Sequence, residues 1–255
     1  MPRSPILFIH GMCCTGAVWD EFTKAFAARG YDCLAPNLRH HERGADLVAL
    51  GMTGIADYVD DLVALVATLP EPPVVIGHSM GGLLAQLVAA RVECRAVVAL
   101  SSAPPAGIWA APFLAVTRLM PHFLHWEFWR QPMKFSFDEI RFLAFNRMPA
   151  EEQARIYAQM VPESGRAGAE IGTWWLQMPQ VTRVVPDQIH CPLLFMAGGR
   201  DRLIPASTCR ANAELFGNKA TYREYVDHGH WLIGEPGHPS IASDILAWLD
   251  SHAAP

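Results

Sequence analysis

Val74-Val75-Ile76-Gly77-His78-Ser79-Met80-Gly81-Gly82-Leu83-Leu84-Ala85-Gln86-Leu87-Val88 is the stretch on which the fold turns. Three β-branched apolar residues read as a buried strand, and Gly82 to Val88 read as an apolar helix, so strand becomes helix across Gly77-His78-Ser79-Met80-Gly81. Such a sharp turn strains the backbone. Glycine two positions before and two after the serine lets strand and helix pass closely. The serine oxygen is thereby pushed out above a sheet edge, where the free amides and dipole of the helix N-terminus favour negative charge. Ser79 is the candidate nucleophile.

Similar apolar runs flank this unit: Ile6-Leu7-Phe8-Ile9, Ala96-Val97-Val98-Ala99-Leu100 and Leu193-Leu194-Phe195-Met196. None alternates with polar residues, which predicts strands buried on both faces, as in a parallel sheet. Helical patterns lie between them. Val18, Phe22, Ala25 and Phe26 share one face, with Gly30 as the stop. Ile55, Val59, Leu62, Val63 and Val66 share another, with Thr53 as N-cap and Asp57, Asp60 and Asp61 towards solvent. Alternating strands and helices predict an α/β fold with a doubly wound, mainly parallel sheet. The first run begins so early that no N-terminal hairpin is expected.

The alternation stops after Leu100 and resumes at Pro192. Residues 106–188 read as a helical or irregular insertion, and residues 1–105 with 189–255 as the main domain. The insertion holds Trp109, Trp126, Trp129, Trp174 and Trp175, five of the 8 tryptophans. A layer so aromatic covers or binds something apolar. Overall, 51% of residues are hydrophobic and 18% charged, which excludes a disordered chain. A net charge of -5 with no basic block argues against nucleic acid as a partner. The run from Pro5 to Ile9 is too short for a signal-peptide core. The uncharged stretches 72–90 and 96–117 carry glycine, serine or proline unsuited to a membrane span. The cysteines, 6 in all, show no C-x-x-C spacing, and the expectation is reduced thiols in the cytoplasm.

A serine hydroxyl is a poor nucleophile until a base takes its proton, and that base needs an anion to orient it. Two histidines compete for the role in Asp227-His228-Gly229-His230-Trp231, which follows the expected last strand, Tyr222 to Val226. An acid, Asp201, stands in Gly198-Gly199-Arg200-Asp201, a glycine turn at the end of a buried strand. No H-E-x-x-H zinc pattern occurs, so no metal is expected.

These motifs resemble the α/β-hydrolase superfamily, strongly over 5–105 and 192–250 and over the insertion only in position and composition. The resemblance implies the chain order serine, acid, histidine, and selects Asp201 and, by the Gly-His-aromatic pattern, His230. It identifies His10-Gly11 with the family's oxyanion loop and gives the oxyanion two amides, those of Met12 and Met80. Trp19 stands where members often place an aromatic. The insertion corresponds to the family's cap. Leu38-Arg39-His40-His41-Glu42-Arg43-Gly44 departs from the common Arg-Gly-x-Gly, leaving the shape of that loop open. Gly11, Cys13, Trp109 and Trp126 are the candidate substrate-binding residues, Cys13 and Cys14 serving as pocket wall. The implied activity is hydrolysis of a small to medium hydrophobic carboxylic ester without cofactor and away from membranes. Alternatives are thioester, C–C bond or perhydrolytic chemistry on the same groups, a ligand-binding receptor, or a cofactor-free oxygenase. Oligomeric state is not legible.

Overall fold

The computed structural model describes residues 3–109 and 112–253, the side chain of Phe113 excepted. Residues 1, 2, 254 and 255, at the outer ends of the main domain expected from sequence, and 110 and 111, within the expected insertion, lie outside the described residues. The four apolar runs become strands β1 (Ile6–Ile9), β3 (Val74–His78), β4 (Ala96–Leu100) and β7 (Leu193–Gly198), buried at every position. With β2 (Cys33–Leu34) and β8 (Ala220–Tyr225) they form one sheet. Two further strands, β5 (Pro132–Met133) and β6 (Glu163–Ser164), pair antiparallel apart from it. The 6-stranded order is β2-β1-β3-β4-β7-β8, and every pairing in it is parallel.

Burial on both faces explains the unbroken apolar runs. On one face Leu7, Ile9, Val75, Val97 and Phe195 pack under helices α3 (Ile55–Val66) and α4 (Met80–Ala89). On the other, Ile6, Phe8, Ile76, Val98 and Met196 pack under α1 (Asp20–Ala27) and α10 (His238–His252). Trp19 is buried there, stacked on Phe8 with ring centres 4.9 Å apart. Helix α9 (Ala206–Glu214) lies against β7 and β8. From β1 the chain crosses to β2 on one side, and from β3 it proceeds to β4 on the other. The order therefore reverses between β1 and β3, which opens a crevice at their carboxyl ends. Register pairs Ile9 with Gly77, so the loop after β1 and the turn after β3 emerge side by side.

Helix α3 begins one residue later than expected. Its N-cap is Gly54, whose amide donates to Asp57 at 2.8 Å. Thr53 instead closes an unforeseen short helix, α2 (Leu47–Met52), its hydroxyl donating to the Ala49 carbonyl at 2.9 Å. A threonine already bonded backwards into one helix cannot cap the next.

The described residues between β4 and β7 add no strand to the large sheet. They form α5 (Phe113–Phe123), α6 (Phe137–Leu143), α7 (Ala150–Tyr157), α8 (Gly165–Gly172) and the β5–β6 pair. That pair departs from the helical or irregular expectation, because two-residue strands are too short to show alternation. The segment leaves and returns at one place, where the Ala106 amide donates to the Thr182 carbonyl at 3.1 Å. No helix among the described residues is long and apolar enough to cross a membrane.

Candidate active site

Ser79 sits between β3 and α4 with φ 55° and ψ −119°, a conformation that side chains rarely adopt. Three hydrogen bonds impose it. The Ser79 amide donates to Leu100 at 2.9 Å, and its carbonyl accepts from Gly82 at 3.0 Å and Ala103 at 2.9 Å. The flanking glycines are obligatory: a Cβ at Gly77 would enter the carbonyl of Gly81, and one at Gly81 would enter the carbonyl of Ile9. The second contact also presses the elbow against the loop after β1.

Asp201 and His230 meet beside this turn. His230 Nδ1 lies 2.8 Å from Asp201 Oδ2, and both side chains are buried. The other oxygen, Oδ1, accepts the amides of Leu203 and Ile204, each at 2.8 Å, so the carboxylate's orientation is fixed before the imidazole is counted. His228, the competing histidine, packs against the Tyr225 ring with centres 5.5 Å apart. The His230 loop has its own support. Glu235, 1% exposed, accepts the Gly229 amide at 2.7 Å and the Trp231 amide at 3.1 Å, bracketing His230 from both sides. Burial pushes the Glu235 carboxyl above its ordinary range, and the two amides only partly offset this.

Ser79, His230, Gly11 and Met12 border one cavity of about 100 Å³. Among the described residues the Ser79 hydroxyl makes no hydrogen bond to a protein group, the imidazole of His230 included. Such contacts are often loose before substrate binds. His78 lines the same cavity and donates from Nε2 to the His230 carbonyl at 2.9 Å; burial, then the neighbouring His230, lowers its pKa to about 3. Leu119, Phe135, Leu143, Phe145 and Met160 close the cavity from the 106–188 segment, and no Lys, Arg, Asp or Glu lines it.

Gly11 and Met12 line the cavity, and of the two cysteines expected in its wall Cys14 is there and Cys13 is not. Cys13 is buried behind the loop with φ 61°. Trp109 and Trp126 are 61% and 82% exposed and lie outside the lining, packed on Trp175 and Trp129. Aromatic composition does not say which side of a helical layer faces the pocket, and these rings face out. The Met12 amide has the geometry of a free donor. The Gly11 carbonyl accepts from His10 Nδ1 at 2.9 Å and from the Cys14 amide at 3.3 Å. A planar trans peptide then points the Met12 N–H the opposite way, and no described protein group accepts it.

The loop at 38–44 holds a group that sequence reasoning left open. His41 is fully buried, with Nε2 3.1 Å from Glu163 Oε2 and Nδ1 3.0 Å from the Arg39 carbonyl. Burial opposes charge on this histidine, but Glu163 outweighs it and raises the pKa above the ordinary value. Burial would raise Glu163 likewise, yet His41 and the donors around it hold the carboxyl below its ordinary range. The two residues are 122 apart in the chain, a separation that leaves no sequence signal. All 6 cysteines are free thiols: Cys33 is half-buried and the others are buried. No group of three or more His, Cys, Asp or Glu among the described residues is arranged to hold a metal ion.

An α/β-hydrolase family model matches residues 6–240, and the chain belongs to that family. It is 24% identical to a monoacylglycerol lipase from Mycolicibacterium smegmatis, covering 98% of this chain and 89% of that protein. It is 29% identical to a non-heme chloroperoxidase from Streptomyces lividans, covering 97% and 92%. A crystal structure of a methylesterase from Arabidopsis superposes with a TM-score of 0.74 at 14% identity, covering 97% of this chain and 99% of that one. At that identity the likeness concerns the fold.

Proposed function

We propose that the chain is a serine hydrolase of carboxylesterase type that cleaves a small to medium apolar ester through an acyl-enzyme on Ser79. The observation that carries this reading is the 2.8 Å Asp201–His230 contact in the cavity wall that Ser79 shares. In this mechanism His230 takes the Ser79 proton as the oxygen attacks the carbonyl carbon, and Asp201 holds the Nδ1–H and stabilises the imidazolium. The amides of Met12 and Met80 receive the oxyanion, Met80 being the first residue of α4. The C–O bond breaks as His230 protonates the departing alcohol. Water, deprotonated by His230, then releases the acid and restores Ser79. No metal or cofactor enters these steps.

The apolar wall favours a neutral substrate, since a charged group would be desolvated there without a partner. The 106–188 segment acts as the cap, supplying much of that wall. A second reading uses the same residues with hydrogen peroxide replacing water as acyl acceptor; the similarity to a chloroperoxidase favours including peroxide in the assays.

The test is turnover of p-nitrophenyl esters of increasing acyl length, together with fluorophosphonate labelling. The wild type should hydrolyse the shorter esters and label on Ser79, and Ser79→Ala should do neither. Full ester hydrolysis by Ser79→Ala would falsify the reading.

A further inference from the structure

A fully buried carboxylate with four donors around it is an unusual component for a surface insertion. Glu163 Oε2 accepts the Cys13 amide at 3.1 Å as well as His41 Nε2 at 3.1 Å. Its Oε1 accepts the Tyr58 hydroxyl at 2.8 Å and the Ser164 amide at 2.8 Å. The donors come from the loop after β1, the 38–44 loop, α3 and β6, so one side chain joins the insertion to three parts of the main fold. Stability alone is a poor reason for such a pair, because well-packed apolar residues of similar volume do as well or better.

What distinguishes this carboxylate is its grip on one peptide plane. The amide it accepts belongs to the Met12–Cys13 peptide, whose carbonyl accepts from Cys14 Sγ at 3.3 Å. The next carbonyl, that of Cys13, accepts the Val161 amide at 3.0 Å. Cys13 is held at φ 61°, where a side chain is strained, so the loop needs an external restraint to stay there. Residues 161 and 163 provide it from both sides.

We propose that Glu163 is a positioning residue for the oxyanion loop: by fixing the Met12–Cys13 peptide it aims the Met12 amide at the substrate carbonyl. The inference rests on the hydrolase reading above. It makes the insertion more than a lid, because a carboxylate from within it sets the geometry of the reacting centre. It also gives the 38–44 loop a purpose, since its departure from the family pattern supplies His41.

Glu163→Gln is nearly isosteric, but it sets an amide with one accepting oxygen and a donating nitrogen among four donors. The Cys13 amide competes for a reduced acceptor. Turnover of p-nitrophenyl butyrate, expressed per fluorophosphonate-titrated site, should fall about 10- to 100-fold, less than for outright removal of an oxyanion donor. KM should stay within about threefold, because the donor is engaged mainly in the transition state. Tyr58→Phe is the control. It removes a donor from Oε1 without touching Cys13, and should lower Tm while leaving titrated kcat within about twofold. Hydrogen exchange of the Met12–Cys14 amides should quicken in Glu163→Gln and not in Tyr58→Phe. If Glu163→Gln yields too little folded protein, Glu163→Asp, which keeps the charge beside His41 but is one carbon too short to hold the Cys13 amide, should show the same kcat loss and the same exchange.

Wild-type kcat per titrated site in the Glu163→Gln or substitute Glu163→Asp variant overturns the proposal, as does an equal loss in Tyr58→Phe. A wild type that fails to label on Ser79 overturns the hydrolase reading instead, and the exchange experiment still decides whether Glu163 clamps the loop.

Discussion

Two buried glutamates hold the two loops that converge on Ser79, and they hold them in opposite ways. Glu235 accepts two amides from a loop 4 to 6 residues away and has no charged hydrogen-bond partner. Glu163 reaches Cys13 across 150 residues and is matched by His41. Burial drives the first carboxyl up, while the second is held down. A loop folded back on itself needs only hydrogen-bond geometry to stay closed. A charge set in the interior to join distant parts of the chain needs a second charge to make the first tolerable.

The sharpest way to break the comparison is at the residue that Glu235 supports. His230→Ala should lower kcat/KM for a p-nitrophenyl ester roughly 10⁴-fold or more. Activity within tenfold of wild type would mean that neither glutamate serves the chemistry. Next in size are the glutamates themselves. Glu163→Gln leaves the His41 charge without its partner and should cost about 3–5 kcal/mol in urea unfolding. Glu235→Gln forfeits one backbone bond and should cost about 1–3 kcal/mol. A reversed order would end the distinction between them.

Acid titration sharpens the contrast, because the two carboxyls carry opposite signs. Glu163, depressed in the fold, contributes stability that is present above its unfolded value of 4.5 and lost as pH falls through its folded value. Glu235, raised, favours the protonated fold, so stability relative to Glu235→Gln falls as pH rises through its folded value. Between acid and neutral pH the wild-type advantage over Glu163→Gln should therefore grow, while that over Glu235→Gln shrinks, each by at most about 1.4 kcal/mol per pH unit. The His41 contribution is complete below 6.5 and disappears as pH rises through its raised value, closing the Glu163 advantage again on the alkaline side. Urea melts in steps from pH 4 to pH 9 check both limbs. The smallest effects belong to Trp109→Ser and Trp126→Ser, whose exposed rings should leave stability within about 0.5 kcal/mol and kcat within about twofold.

The sheet was readable because β1, β3, β4 and β7 are buried on both faces and their composition says so. Strands β2, β5 and β6 span only two residues each, too few for any pattern. Ser79 and Asp201 were legible as strand-end residues beside glycines. His230 was separated from His228 only by family resemblance, and the structure puts it on Asp201. The pocket wall was not legible. Tryptophan in the insertion drew attention to Trp109 and Trp126, but Leu119, Phe135 and Met160 form the lining, and an apolar layer with two apolar sides carries no marker of which faces in. Glu163 and His41 were invisible for a different reason: a buried ion pair is defined by its surroundings, and neither residue differs in sequence from one on the surface.

The unbridged thiols give the protein a reporter of its own unfolding. Burial moves Cys33 and Cys191 to about 11 and Cys94 to about 12, and it drives Cys13, Cys14 and Cys209 higher still. At pH 8 the native chain offers an alkylating reagent almost no thiolate, whereas the opened chain offers ordinary cysteines. Iodoacetamide incorporation, resolved peptide by peptide, would time how often each part of the interior meets solvent, with no label introduced by mutation.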